Sequence, residues 1–426
     1  MGMIANGRRV ERYKKDSDIA LKLFILYVTP LCVYLQSLFF ATTNIWATLY
    51  IVIVCVYFFK NKGVKFQISS YDVLFFLFVI IIICATLGAG DYLSFLQYSL
   101  VLIFVFGYTK YSISCLYKYL DIILVFGLCC AIGCIIQEFW SGFHTLVVSK
   151  LFKSENFEVI KQLERNMGNS GIMPQTAYAA EFILNAGFIL FFKEKTKTKK
   201  FTYGLILFIG LLLTGKRAHL FMGALVFFIS FFIGYRGKKK TNKILYGVFS
   251  AFIVTTCLIF IKPLLPEDNT IVKGINTIIN FDVNDEDIMH GREILYAEAI
   301  YMGNKAPLTG HGWGSFKKIV DYHGGSTDVH NIYLQLYAEL GIIVLGIFTL
   351  CAILLVKKNI HVLKKARGIY GENSQEVKIL KLAFCFICFF LLYGLTGNPL
   401  YNISFFIVLG LGVSMIKKVD SNISNM

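Results

Sequence analysis

With 426 residues, 56% hydrophobic and only 16% charged, this chain is too apolar for an ordinary soluble domain, in which about a quarter of residues carry charge. Mean hydropathy is +0.64, and short basic clusters separate long apolar runs, the signature of a multi-pass membrane protein. The net charge of +16 would suit nucleic acid, but Lys and Arg sit in the connectors, where membrane topology puts them, so no nucleic-acid partner is expected.

The N-terminal arm, Met1 to Asp18, is polar and basic, too long and polar before Leu21 for a cleaved signal peptide. Apolar spans follow at 19–40, 44–59, 71–88, 92–108, 119–140, 176–192, 201–214, 218–235, 244–262, 331–356, 379–395 and 402–416. The expected fold is all-α and polytopic, with about 12 transmembrane helices and a large outer loop containing short helices. It divides into an N-terminal bundle (1–262, about nine helices, including the outer segment 141–175), an outer loop (263–330) and C-terminal helices (331–426). With both termini cytoplasmic, about 30 of the 42 Lys and Arg residues fall on the inner side and every inner connector is basic. The cytoplasmic (inner) membrane is therefore the expected location, with the long segments 141–175 and 263–330 facing outward.

Ten of the 11 cysteines lie in apolar spans and Cys115 in a short connector, so no disulfide framework is expected. Cys385 and Cys388 form a CxxC inside an apolar run and read as packing residues.

Candidate chemistry gathers on the outer side. Thr214-Gly215-Lys216-Arg217-Ala218-His219 is a tight turn between two apolar helices. It serves either as an interfacial anchor or as a cationic site. His290-Gly291-Arg292 opens a helical stretch, Ile294 to Met302. There a guanidinium fork would join backbone N–H groups that favour an anion; a solvated surface Arg is the plainer reading. Gly310-His311-Gly312-Trp313-Gly314-Ser315-Phe316 permits a sharp turn with exposed amides that could cradle a phosphate or a sugar, or that is purely structural. Asp328-Val329-His330-Asn331 leads into a span and places His330 in the first helical turn. The positive helix end disfavours imidazolium there, leaving a neutral ring fit to act as a base; a His that caps the helix or contacts lipid headgroups is the plainer reading. Glu181 and Glu339 lie within spans, roughly 10–14 Å deep, where carboxylates are costly and are either functional or paired between helices.

The stretch HGREILYAEAIYMGNKAPLTGHGWGSF, followed by HNIYLQLYAELGIIVLG, resembles the shared region of bacterial O-antigen polymerases and O-antigen ligases, and TGKRAH resembles the family's outer-face Arg between two helices. One departure is Lys216, where that family often has Ser. The resemblance implies that Arg217, Arg292 and His330 line one catalytic site, with Lys216, Asn331, Gly310, Gly312, Gly314 and Arg165 binding substrate. It implies a glycosyltransferase that uses polyprenyl-pyrophosphate-linked oligosaccharide as donor. Two guanidinium groups would stabilise the leaving pyrophosphate and His330 would take the acceptor's proton. No Asp-x-Asp or His/Cys ligand cluster stands in the long outer loops, so neither a metal nor another cofactor is expected.

The expected activity is polymerisation of lipid-linked repeat units into a surface polysaccharide, O-antigen or capsule. The alternatives are a ligase that moves the glycan to a lipid core or protein, and a transporter or flippase for the same lipid-linked sugar. Expected partners are the lipid-linked oligosaccharide as donor and acceptor, membrane lipids, a flippase and a chain-length regulator.

Overall fold

A computed structural model describes residues 70–91, 94–95, 98–99, 113–140, 142–143, 168–173, 175–193, 196–233, 292–322, 325–326, 328–401 and 403–424. The expected spans 19–40, 44–59 and 244–262, most of 92–108, and Arg165 and His290 lie outside them.

Each remaining apolar run is a helix. In chain order they are α1 (Ser70–Gly88), α2 (Ile113–Phe139), α3 (Thr176–Phe192), α4 (Lys197–Leu213), α5 (Arg217–Phe232), α6 (Arg292–Lys305), the short α7 (Ser315–Ile319), α8 (Ile332–Tyr370), α9 (Gln375–Tyr393) and α10 (Ile403–Ser424). Among the described residues the regular structure is helical except for a hairpin of two two-residue strands, β1 (Asp321–Tyr322) and β2 (Gly325–Ser326), paired antiparallel. Leu120–Phe139 and Ile332–Tyr370 are each long and apolar enough to cross a membrane; α3, α5 and most of α1 are shorter apolar helices.

Helix ends follow local chemistry. Thr196 caps α4 by accepting from the Lys199 amide, and Ser374 caps α9 by accepting from Val377 N. α8 runs 14 residues past the expected boundary at 356, because its basic tail is made of good helix formers, and stops at Gly371 (φ 82°).

α3 is the central helix, buried along most of its length, with α2, α4, α5 and α9 around it. α8 joins α9 and α10 to α1. Small residues bring helices close: a Cβ at Gly127 would sit 2.3 Å from the Ala186 methyl, and one at Gly210 2.5 Å from that of Ala131. Outward-facing side chains are apolar, such as Val73, Val125, Phe201 and Ile343, each more than half exposed. Lipid would cover such a surface at no cost.

Helix ends that the basic clusters assign to one side lie together. At the ends expected to face the cytoplasm, Lys193 pairs with Asp121 (2.5 Å), Lys417 with Asp72 (2.6 Å), Lys358 with Asp420 (2.6 Å) and both Arg367 and Lys381 with Glu372. At the opposite ends, Asn169 N donates to Leu213 O (2.8 Å), Ile332 N to Gly394 O (2.8 Å), and Trp313 Nε1 to Asp91 (3.1 Å).

Candidate functional site

α6, α7 and the first nine residues of α8 form a cap with its own small core of Leu295, Ala299, Met302, Phe316, Val329 and Ala338. The cap exists because α8 is broken. Gly341 has φ 79° and ψ 177° inside an otherwise helical run, and residues 306–314 cross the gap. Ile342 N donates to Pro307 O (2.8 Å), His311 N to Ala338 O (3.1 Å) and Gly312 N to Glu339 O (2.8 Å). The Glu339 carboxylate accepts from Gly314 N (3.0 Å), Phe316 N (3.2 Å) and Gln335 Nε2 (2.6 Å).

This arrangement revises the expected phosphate cradle. Gly310, Gly312 and Gly314 all adopt positive φ, so the turn forms as anticipated. Its amides, however, donate within the chain, to Ala306 O, Glu339 O and the Glu339 carboxylate. Trp313, in the turn that could have cradled a phosphate or a sugar, is 3% exposed. It packs edge-on against Tyr98 and donates to Asp91, so its role is to pin the turn to the end of α1. Burial raises the Asp91 carboxyl, but donors from Ser94 and Trp313 outweigh it and hold it below its ordinary range. Tyr333 packs on Phe348 and donates to Leu391 O (2.9 Å). Tyr301 is exposed beneath Lys305.

His330 stands one residue before the helix cap, not in the first turn. It is the one described non-glycine residue with positive φ, at 57°, a conformation that other side chains rarely adopt and that draws notice at a candidate site. Asn331 caps α8 by accepting from Tyr333 N (3.0 Å) and Leu334 N (3.1 Å), while its amide donates to Leu395 O (3.2 Å). The side chain expected to bind substrate is thus occupied in fixing the helix start beside His330.

Arg292 opens α6 and donates from Nη1 to Thr396 O (2.9 Å), next to the carbonyl that Asn331 holds. Only one of its five N–H donors is needed for that bond. Burial lowers the basicity of His330 first, and the charges of Arg292, Lys216 and Lys317 lower it further, against Asp328. Lys216, Arg292 and His330, chosen from different parts of the sequence, therefore share one electrostatic neighbourhood. Lys317 belongs to it as well and pairs with Asp328 at 2.9 Å. In the sequence Lys317 looked like half of an ordinary Lys-Lys pair; only its place after the glycine turn could have flagged it.

Arg217 is the first residue of α5 and is exposed. Among the described residues no hydrogen bond or ion pair joins it to Arg292 or His330, and its neighbour Lys216 is the residue whose charge reaches His330. His219, one turn further on, is buried against Tyr393 (ring centroids 4.5 Å apart) and Phe389, with neither ring nitrogen hydrogen-bonded among the described residues. Glu181 is also fully buried, in α3.

No curated protein matches the chain. A model of the family described as O-antigen ligase matches residues 202–349, a stretch that contains Lys216, Arg217, Arg292, His330 and the broken part of α8. Residues 202–349 are thus similar to the O-antigen ligase family, and the long apolar helices are those of an integral membrane protein by length and composition.

Proposed function

We propose that the chain is a glycosyltransferase that joins polyprenyl-pyrophosphate-linked oligosaccharide units on the outer face of the cytoplasmic membrane. The observation that carries this reading is that Arg292, through Thr396 O, and Asn331, through Leu395 O, are tied to the same turn, which sets the guanidinium near His330, while Lys317 pairs with Asp328 two residues before it. Cations suit a pyrophosphate leaving group, and a neutral imidazole suits an acceptor hydroxyl.

In this reading His330 takes the proton of the acceptor hydroxyl as its oxygen attacks the anomeric carbon. The bond from that carbon to the pyrophosphate oxygen breaks, and the electron pair leaves with the lipid pyrophosphate. Arg292 and Lys216 offset the charge that develops, with Arg217 exposed beside Lys216 to meet the phosphates. Because basic side chains supply this charge, transfer is metal-independent and survives chelation. Loss on chelation with rescue by Mg²⁺ would move the role to acids such as Asp282, Asp285 and Asp287.

The acceptor decides between two reactions. A polymerase uses the same lipid-linked unit as donor and acceptor, so purified protein given that single substrate yields a ladder with steps of one repeat. The description of the matched family favours a ligase as the second reading: no ladder, with transfer only after a lipid core or protein acceptor is added.

A further inference from the structure

The strained backbone at His330 is held from both sides, and one of the holders lies outside every role given above. On its C-terminal side Asn331 is fixed by its cap. On its N-terminal side Val329 N donates to Gln335 Oε1 at 3.1 Å, in a fully buried bond. Gln335 is 1% exposed and Val329 0%. A glutamine amide can present either its oxygen or its nitrogen, and only the oxygen can hold Val329 N. Glu339, one helical turn further on, makes that choice: it accepts from Gln335 Nε2 at 2.6 Å, which turns Oε1 toward Val329. Asn398 Nδ2 also donates to Oε1, at 3.4 Å. The Glu339 carboxylate is itself fixed by the amides of Gly314 and Phe316. The glycine turn, the broken helix and the residue before His330 are thereby one chain of hydrogen bonds.

We infer that Gln335 is a positioning residue for His330, and that Glu339 acts through it by setting the direction of its amide. The inference rests on the reading of His330 as the base, and concerns geometry about the reacting proton rather than contact with substrate. Misplacing a base by an ångström lowers turnover without weakening donor binding.

The test uses full-length purified protein and a synthetic polyprenyl-pyrophosphate oligosaccharide. Gln335→Leu should lower kcat by about 10- to 100-fold with the donor KM unchanged, and should move the acid limb of the pH profile upward as the released ring gains solvent. Damage to the fold alone would scale activity at every pH and leave that limb in place. Gln335→Glu sets two carboxylates against each other and should be inactive. Adding Glu339→Gln to it returns a donor to the pair and should restore a large part of kcat. Wild-type kcat in Gln335→Leu overturns the inference. Should that variant fail to accumulate, a folded double variant no better than Gln335→Glu overturns it. Full activity in His330→Ala instead overturns the reading of the base, whatever the Gln335 variants do.

Discussion

Gly310 lies directly against the backbone of Glu339: a Cβ at position 310 would fall 2.2 Å from the Glu339 carbonyl carbon. Residues 29 apart in sequence are thus in backbone contact where α8 is interrupted. Gly310 also has φ 64°. Gly310→Ala therefore combines a left-handed penalty of about 1–2 kcal/mol with a clash that only backbone movement relieves. Gly312 shares the positive φ but has open space around it. In thermal unfolding of detergent-purified protein, Gly310→Ala should lose clearly more stability than Gly312→Ala.

Trp313→Phe keeps the aromatic packing on Tyr98 but removes the donor to Asp91. A lost hydrogen bond to a charged group costs about 1.5–3 kcal/mol. The variant should unfold at lower temperature while its KM for the sugar donor stays unchanged, because the indole faces the protein interior. A large rise in KM would return Trp313 to the substrate path.

The acid limb of the pH profile reports on His330. Burial and its cationic neighbours lower it from the ordinary 6.5, so the ring is neutral at pH 7 and activity falls only at more acidic pH. The linkage has the same sign: in that acid window the unfolded chain binds more protons at this residue, so stability also declines as pH falls. Arg292→Gln removes the neighbouring charge that most lowers the ring's basicity and should move the limb to higher pH; Arg292→Lys should leave it in place. Both should slow transfer, since neither residue has the planar fork.

A reporter active only outside the cytoplasm should work when fused at 300 and fail at 197 or 365. The inner ion pairs Lys193–Asp121 and Lys417–Asp72, on the side opposite the Trp313–Asp91 bond, motivate the test. Reporter activity at 365 would overturn the assignment of sides.

Much of this architecture is legible in the sequence because lipid imposes a single rule on every residue of a span. The apolar runs at 71–88, 176–192 and 379–395 became α1, α3 and α9 with small boundary changes, and Arg292 did open a helix. The break at Gly341 was not legible. Ala-Glu-Leu-Gly-Ile-Ile reads as continuous helix, and the carbonyl that receives Ile342 N belongs to Pro307. The same distance in sequence hid the fate of the glycine amides. Exposed donors in a turn suggest a ligand, and the acceptor turned out to be the Glu339 side chain. Asn331 was expected to bind substrate, yet its side chain caps a helix, a role that the pattern Asn-Ile-Tyr-Leu could have suggested.

The interruption at Gly341 also separates two mechanical demands. A continuous 39-residue helix would carry any tilt imposed at its inner end directly to His330. With the break, residues 342–370 can lean to match a thicker or thinner bilayer, while residues 332–340 stay fastened to α6, to the glycine turn and to the Gly394–Thr396 turn. In the proposed reading the geometry around His330 would be insulated from acyl-chain length, so transfer should vary little between bilayers of differing thickness.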